Sequence, residues 1–288
     1  MKAEFATGCK KDWQQNMILN TLKKKWKNGE ATLNGWLSIG NSFTAEIMAQ
    51  QGYDSLTIDI QHGFLDYNDA KGMLQAIRAS RVTPMVRVPW LDPGIIMKSL
   101  DAGAYGIICP MINTSDQASV LVDAIRYPPH GSRSFGPTRA NISAGENYAS
   151  EANENVVSFA MIETAEAVEN VDAICATKGL DGIYIGPADL TLGVTKGRLA
   201  PGFDREEPEM IDVIKRILVA AKSQNIHAGI HCGTPQYAAK AVGWGFDLTT
   251  ISGDVRLLAA SAGASVNQTH ELIGSDVKSG FSDAKNGY

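Results

Sequence analysis

The sequence predicts a closed (β/α)₈ barrel in a chain of 288 residues. Three observations support this prediction. Short apolar runs alternate with stretches of helical periodicity, and the alternation yields eight strands. A chain of this length suits one barrel. No G-x-G-x-x-G turn follows the first strand, which weighs against an open dinucleotide-binding sheet.

The elements follow a lead-in helix in regular order. Apolar residues recur at helical spacing over 16–27, and Asn28-Gly29 ends that helix. The apolar runs predict strands at 33–39, 55–59, 83–88, 105–109, 156–162, 182–185, 227–231 and 246–251. The periodic stretches predict helices at 43–51, 67–80, 93–102, 115–125, 165–177, 207–224, 235–242 and from 255 onward. The barrel is therefore assigned to 33–273, after a helical lead-in over 1–32 and before a polar, disordered tail over 274–288.

Two long loops are predicted, at 127–147 and 192–208, and they follow the fourth and sixth strands. Loops that follow barrel strands lie on the rim that carries the active site. We expect these two loops to act as lids or to contact the substrate.

Composition and charge limit the classes of partner. The chain is 44% hydrophobic and 20% charged, with a formal net charge of -5. This mild acidity argues against nucleic acid or an anionic membrane as the main partner. The four cysteines show no paired metal spacing, and no apolar run approaches membrane-spanning length. We expect a cytoplasmic protein that acts on small molecules.

Two parallel strands in the centre of the chain end near carboxylates. The run 156–162 finishes at Glu163, and the run 182–185 passes through Gly186, Pro187 and Ala188 to Asp189. A helical stretch joins the two strands, so they are parallel and their ends share one rim. Two acids on that rim predict a shared hard cation such as Mg²⁺, Mn²⁺ or Co²⁺.

Other polar residues lie at the ends of neighbouring strands. Asp59 and His62 follow the second strand, and Arg87 ends the third. A 2-oxo acid that chelates the cation becomes acidic at the adjacent carbon, because the cation and Arg87 stabilise the enolate oxygen. His62 is then available for proton transfer. A Schiff-base aldolase needs a lysine at a strand end, and none is present there.

Seven runs carry a resemblance to a known family. GWLSIG, DIQHG, VRVPWLDPG, LDAGAYGIICPM, RYPPHGSRSFGP, MIET and GIYIGPADL, in this order, closely resemble the metal-dependent (class II) pyruvate aldolases of the HpcH/HpaI family. The resemblance covers about 33–263. It implies a lyase that reversibly cleaves a 4-hydroxy-2-oxo acid to an aldehyde and pyruvate, or a close 2-oxo acid.

The resemblance also implies roles for individual residues, all of them expectations at this stage. Glu163 and Asp189 bind the metal, Arg87 contacts the keto oxygen, and His62 is the catalytic histidine three residues after Asp59. The turn Gly186-Pro187-Ala188 offers backbone N–H groups to the pyruvate carboxylate. The resemblance further implies that Trp36 lines the pyruvate pocket and that the Asp101 carboxylate pairs with His62. Many family members have glutamate where this chain has Gln61.

The resemblance implies a homo-oligomer, commonly a hexamer built as a trimer of dimers that exchange the last helix. Two other readings stay open. One is a related enolate enzyme on the same scaffold, a CoA-thioester lyase or an oxaloacetate decarboxylase. The other is a non-catalytic barrel that binds a 2-oxo acid.

His227 and His231 form a further pair. In a strand their spacing separates them by about 13 Å, which is too far for one metal ion. We expect at least one of them to pack in the core or at the rim.

Overall fold

The computed structural model describes residues 18–273. Positions 16 and 17 of the predicted lead-in helix and the whole predicted disordered tail lie outside these residues. Within them, no helix is long and apolar enough to cross a membrane.

Eight parallel strands close into a barrel in sequence order, each paired with the next and the last with the first. They are β1 Thr32–Leu37, β2 Ser55–Asp59, β3 Thr83–Arg87, β4 Gly106–Cys109, β5 Val157–Ile162, β6 Gly182–Ile185, β7 His227–Cys232 and β8 Leu248–Gly253. The strands are almost fully buried because side chains fill the barrel on one face and helices cover the other. The predicted (β/α)₈ barrel is confirmed.

The helices that alternate with the strands form the outer layer. They are α1 Thr21–Lys27, α2 Ser42–Ala49, α3 Tyr67–Arg78, α4 Pro93–Asp101, α5 Ser115–Ile125, α6 Thr138–Ala144, α7 Tyr148–Asn155, α8 Ala165–Glu169, α9 Val171–Cys175, α10 Pro187–Thr195, α11 Pro208–Ser223, α12 Pro235–Trp244 and α13 Asp254–Ile273. Side-chain caps define several starts: the Asp66 carboxylate accepts two backbone N–H groups at the start of α3, and Thr114 opens α5 with a capping box.

Three predicted segments differ from the structure. The helix predicted over 165–177 is two short helices that meet at Asn170, whose side-chain amide donates to the carbonyl of Asn113 at 2.8 Å. The loop predicted over 127–147 contains α6, and the start of the loop predicted over 192–208 belongs to α10. The contact between Asn170 and Asn113 ends α8, and a contact between distant segments cannot be predicted from local periodicity.

Helix α1 closes the amino-terminal end of the barrel. Its Leu22 and Trp26 are buried in one cluster with interior residues such as Phe159, and the rings of Trp26 and Phe159 are 5.9 Å apart, edge to face. The Trp26 indole N–H donates to the Thr32 hydroxyl at 2.9 Å. The open end of the barrel is therefore the opposite, carboxyl-terminal rim.

Candidate active site

A cavity of about 790 Å³ opens at the carboxyl-terminal rim. It brings together most of the residues that the sequence singles out. Those that line it are Trp36, Asp59, His62, Arg87, Glu163, Gly186, Ala188 and Asp189. They come from the ends of β1, β2, β3, β5 and β6, as expected of a barrel whose strands all point to one rim.

Asp59 accepts hydrogen bonds from two neighbouring side chains. Arg87 donates from Nε to Oδ1 at 2.8 Å and from Nη2 to Oδ2 at 2.6 Å, and the Trp36 indole donates to Oδ2 at 3.1 Å. Burial alone raises the pKa of Asp59, but the hydrogen bonds and charge of Arg87 outweigh it and keep that pKa below its usual value. Asp59 is therefore an anion that fixes the orientation of the Arg87 guanidinium.

The turn after β2 presents His62 to the cavity. The backbone N–H groups of Gln61 and His62 both donate to Asp59 Oδ1, at 3.1 and 3.2 Å. The imidazole of His62 is exposed and lines the cavity. The Gln61 Oε1 is buried, without a hydrogen-bond partner among residues 18–273. The same carboxylate thus positions both Arg87 and the backbone of His62.

Glu163 and Asp189 form the acidic side of the cavity. Glu163 is 3% exposed, and its Oε1 accepts the Met111 backbone N–H at 2.8 Å. Burial raises the pKa of Glu163 to about 7, the Met111 N–H opposes that rise, and the negative charge of Asp189 adds to it. A cation between these two carboxylates would offset both the burial and the repulsion.

The backbone after β6 approaches Glu163 closely and then begins α10. A Cβ on Gly186 would lie 2.6 Å from Glu163 Oε2, so only glycine leaves the carboxylate its space. Pro187 is buried and has no N–H, and no side chain caps α10. The N–H groups of Ala188 and Asp189, in the first turn of α10, are left available to an anion in the cavity.

The donor set fits a divalent cation. Carboxylates are hard oxygen ligands, and within the described part of the chain Glu163 Oε2 accepts no hydrogen bond. Residues 18–273 contain no group of three or more His, Cys, Asp or Glu side chains able to hold a metal ion. With two protein carboxylates, an octahedral ion would take its other ligands from water and substrate oxygens.

Asp101 lies apart from this cluster. It is not among the residues that line the cavity. Its Oδ1 accepts from Nη2 of the buried Arg133 at 2.6 Å, and Arg133 Nη1 donates to the Tyr148 hydroxyl at 3.0 Å. The pairing of Asp101 with His62 stays a prediction.

Comparison with known proteins identifies the family. A family model described as HpcH/HpaI aldolase/citrate lyase matches residues 34–259. The chain belongs to this family. It is 41% identical over 244 residues to a hydroxypyruvate/pyruvate aldolase of Rhizorhabdus wittichii, a match that covers 85% of this chain and 96% of that protein. A 2-keto-3-deoxy-L-rhamnonate aldolase of Klebsiella pneumoniae is 34% identical over 244 residues, covering 84% and 90%.

A solved structure of an HpcH/HpaI aldolase/citrate lyase family protein from Burkholderia cenocepacia J2315 matches the fold. Its TM-score is 0.80 at 33% sequence identity, and the match covers 87% of this chain and 99% of that one. The predictions of an HpcH/HpaI fold and of a class II aldolase, a carbon–carbon lyase, are confirmed. The CoA-thioester lyase, decarboxylase and non-catalytic readings are not favoured.

The HpcH/HpaI cavity has a second wall that the sequence did not reveal. His231, at the end of β7, stacks on Phe203 with ring centroids 4.4 Å apart and meets Trp36 edge to face at 4.8 Å. Burial, together with the charge of Arg87, lowers the pKa of His231 to about 3, so the ring is neutral. His227 lies elsewhere and packs against Trp26, with ring centroids 4.4 Å apart and the two ring planes tilted by 35°. The strand-end rule that selected Arg87 would also have selected His231.

Proposed function

We propose that the protein is a divalent-metal-dependent aldolase that reversibly cleaves a 4-hydroxy-2-oxo acid to an aldehyde and pyruvate, or a close 2-oxo acid. One observation carries the proposal. The Arg87 guanidinium, fixed by Asp59, shares a cavity with the Glu163 and Asp189 carboxylates. A cationic side chain opposite two hard oxygen ligands suits a substrate that becomes an enolate.

Each residue of the cavity has a part in the proposed cleavage. The N–H groups of Ala188 and Asp189 bind the substrate carboxylate at the start of α10. Arg87 donates to the oxygen that gains negative charge as the C3–C4 bond breaks. His62 accepts the proton of the C4 hydroxyl, and Asp101 is proposed to orient His62. Trp36 forms the wall beside the three-carbon product.

Glu163 and Asp189 are proposed to hold the metal ion. When bound, a divalent ion such as Mg²⁺, Mn²⁺ or Co²⁺ polarises the 2-oxo group and lowers the energy of the enolate. The protein contributes a fixed carboxylate pair for this purpose. Glu163 is oriented by Met111 and given its space by Gly186.

We further propose a cytoplasmic homo-oligomer, with a hexamer as the expected form. Support comes from α13, whose residues 257–269 are all exposed. Cys109, Cys175 and Cys232 are buried free thiols, which suits a reducing compartment.

Proton exchange tests the proposed function. We expect the methyl protons of pyruvate to exchange with D₂O, followed by ¹H NMR, when Mg²⁺ or Mn²⁺ is added to the protein. The variant Glu163→Gln keeps the shape of the side chain and removes its charge, and we expect it to lower the exchange rate at least a hundredfold, on the order of the effect of losing a metal ligand.

The matched control is Glu209→Gln. Glu209 is an exposed glutamate on α11 that pairs with Arg198 outside the cavity, so this variant should exchange at the wild-type rate. Absence of exchange by the wild-type protein with every divalent metal would rule out pyruvate as the donor. Equal rates for Glu163→Gln and the wild type would rule out Glu163 as a ligand.

A further inference from the structure

The aromatic wall of the cavity lies between two arginines. Arg87 lies over the Trp36 ring at 4.8 Å from its centroid, and Arg256 lies over the Phe203 ring at 4.9 Å. Between them, Trp36, His231 and Phe203 are in successive ring contact. All five residues line the cavity. One arginine therefore lies beside the metal-ligand pair, and the other lies at the far end of the wall.

Arg256 has no carboxylate partner in the described part of the chain. Within 18–273 its guanidinium makes neither a hydrogen bond nor an ion pair; it contacts the Phe203 ring, and its charge acts on His231. It lies in the first turn of α13, where a cation is opposed by the helix dipole. Neither an ion pair nor the helix accounts for a cation at this position.

The acids on this side of the cavity are engaged elsewhere. Asp204 accepts the Gly233 N–H at 2.7 Å and the Thr234 hydroxyl at 2.6 Å, and Glu207 pairs with Arg205 through both oxygens. Asp254 is 3% exposed and accepts backbone N–H groups, including that of Ser38 at 2.9 Å. The guanidinium of Arg256 is left as the charged group that a ligand would meet.

We propose that Arg256 binds a carboxylate on the aldehyde half of the substrate, so that the preferred acceptors are aldehydes that carry a carboxylate. The inference rests on the proposed aldolase function and specifies its acceptor. The 2-oxo acid occupies the end beside Arg87 and Glu163, and the aldehyde extends along Trp36, His231 and Phe203 toward Arg256. Because His231 is neutral, it presents the acceptor with a hydrogen-bonding group and no second positive charge.

Paired aldehydes test this assignment. Pyruvate is the donor, and each pair has the same number of carbons with and without a carboxylate: glyoxylate with glycolaldehyde, and 4-oxobutanoate with butanal. The measured quantity is the ratio of kcat/KM within each pair. We expect wild-type protein to favour the charged member of a pair, and Arg256→Gln to reduce that ratio at least tenfold in the same pair.

Two controls separate this inference from the proposed function. Arg198→Gln removes an exposed arginine that pairs with Glu209 outside the cavity, and its ratios should equal those of the wild type. Exchange of the pyruvate methyl protons needs no acceptor, so Arg256→Gln should retain the wild-type exchange rate. If Arg256→Gln catalyses exchange but its kcat/KM ratio falls less than tenfold in both pairs, the role of Arg256 is overturned and the aldolase proposal stands. Failure of the wild-type protein to catalyse exchange would overturn the aldolase proposal itself.

Discussion

Gly186 shows how one residue controls the position of a buried carboxylate. Its φ of -96° is open to any residue, but an added Cβ would lie 2.6 Å from Glu163 Oε2 and 2.9 Å from the Met161 methyl group. We expect Gly186→Ala to displace Glu163 and to lower metal-dependent pyruvate exchange at least tenfold while the circular dichroism spectrum stays unchanged. The measurement is the exchange rate at saturating Mg²⁺.

Gly243→Ala is the matched control for this substitution. Gly243 lies in α12, and a Cβ there would meet nothing within 4 Å. Alanine stabilises a helix interior by about 0.5–1 kcal/mol relative to glycine and its last turn by less, so this variant should be fully active and at least as stable. Unchanged exchange in Gly186→Ala would show that Glu163 does not depend on this close approach.

At the scale of elements, Asp181 joins four parts of the barrel just before β6. Its carboxylate accepts the N–H and hydroxyl of Ser158 on β5, at 2.8 and 2.9 Å, and it pairs with Arg126 after α5 and with Lys23 of α1. Only 14% of the side chain is exposed. Burial by itself raises the pKa of Asp181, but the charges of Arg126 and Lys23 outweigh it and hold that pKa below its usual value.

We expect Asp181→Asn to lower the free energy of unfolding by about 3 kcal/mol at pH 7, because it leaves Arg126 buried without its ionic partner. A depressed carboxyl pKa stabilises the folded state above the unfolded value of about 3.9, and this contribution is lost as the pH falls through the folded pKa. The free energy of unfolding of the variant and of the wild type is measured by urea unfolding at pH 7 and below pH 4. The difference between variant and wild type should therefore shrink in acid.

The control for Asp181 is Asp172→Asn. Asp172 is 74% exposed, and its nearest cation, Arg216, lies 3.7 Å away at the surface. Such pairs contribute little, so the urea midpoint should stay at the wild-type value at both pH values. Equal midpoints for Asp181→Asn and the wild type would show that the four elements are held together by other contacts.

The sequence predicts the strands and helices more completely than it predicts the far wall of the cavity. Each strand is an apolar run of its own, and residues at strand ends reach one rim by topology, so Glu163 and Arg87 could be selected from the sequence alone. Phe203 lies in the segment between α10 and α11, and its position beside His231 depends on how that segment folds back over the barrel. No local sequence pattern predicts such a contact. For the same reason the break between α8 and α9 at Asn170 could not be predicted.

At the scale of the whole molecule, α13 is the element that the rest of residues 18–273 leaves largely uncovered. It has 20 residues, about 30 Å of helix, and every residue from 257 to 269 is exposed. Leu258, Val266 and Leu272 are 63%, 51% and 81% exposed. A helix of this length gains most of its stability from packing an apolar face, so we expect α13 to pack against a second copy of the chain.

We expect the native protein to have a mass several times its chain mass of 30.9 kDa in light scattering after size exclusion, and Leu258→Glu to shift the assembly toward smaller species. Burying a leucine contributes about 1.5–3 kcal/mol, and burying an unpaired carboxylate costs more, so the association constant should fall at least about a hundredfold. Val219→Glu, on α11, changes an equally apolar and 67% exposed residue, and it should leave the mass unchanged. A wild-type mass of 30.9 kDa would rule out the homo-oligomer, and an unchanged mass for Leu258→Glu would exclude this face of α13 from the interface.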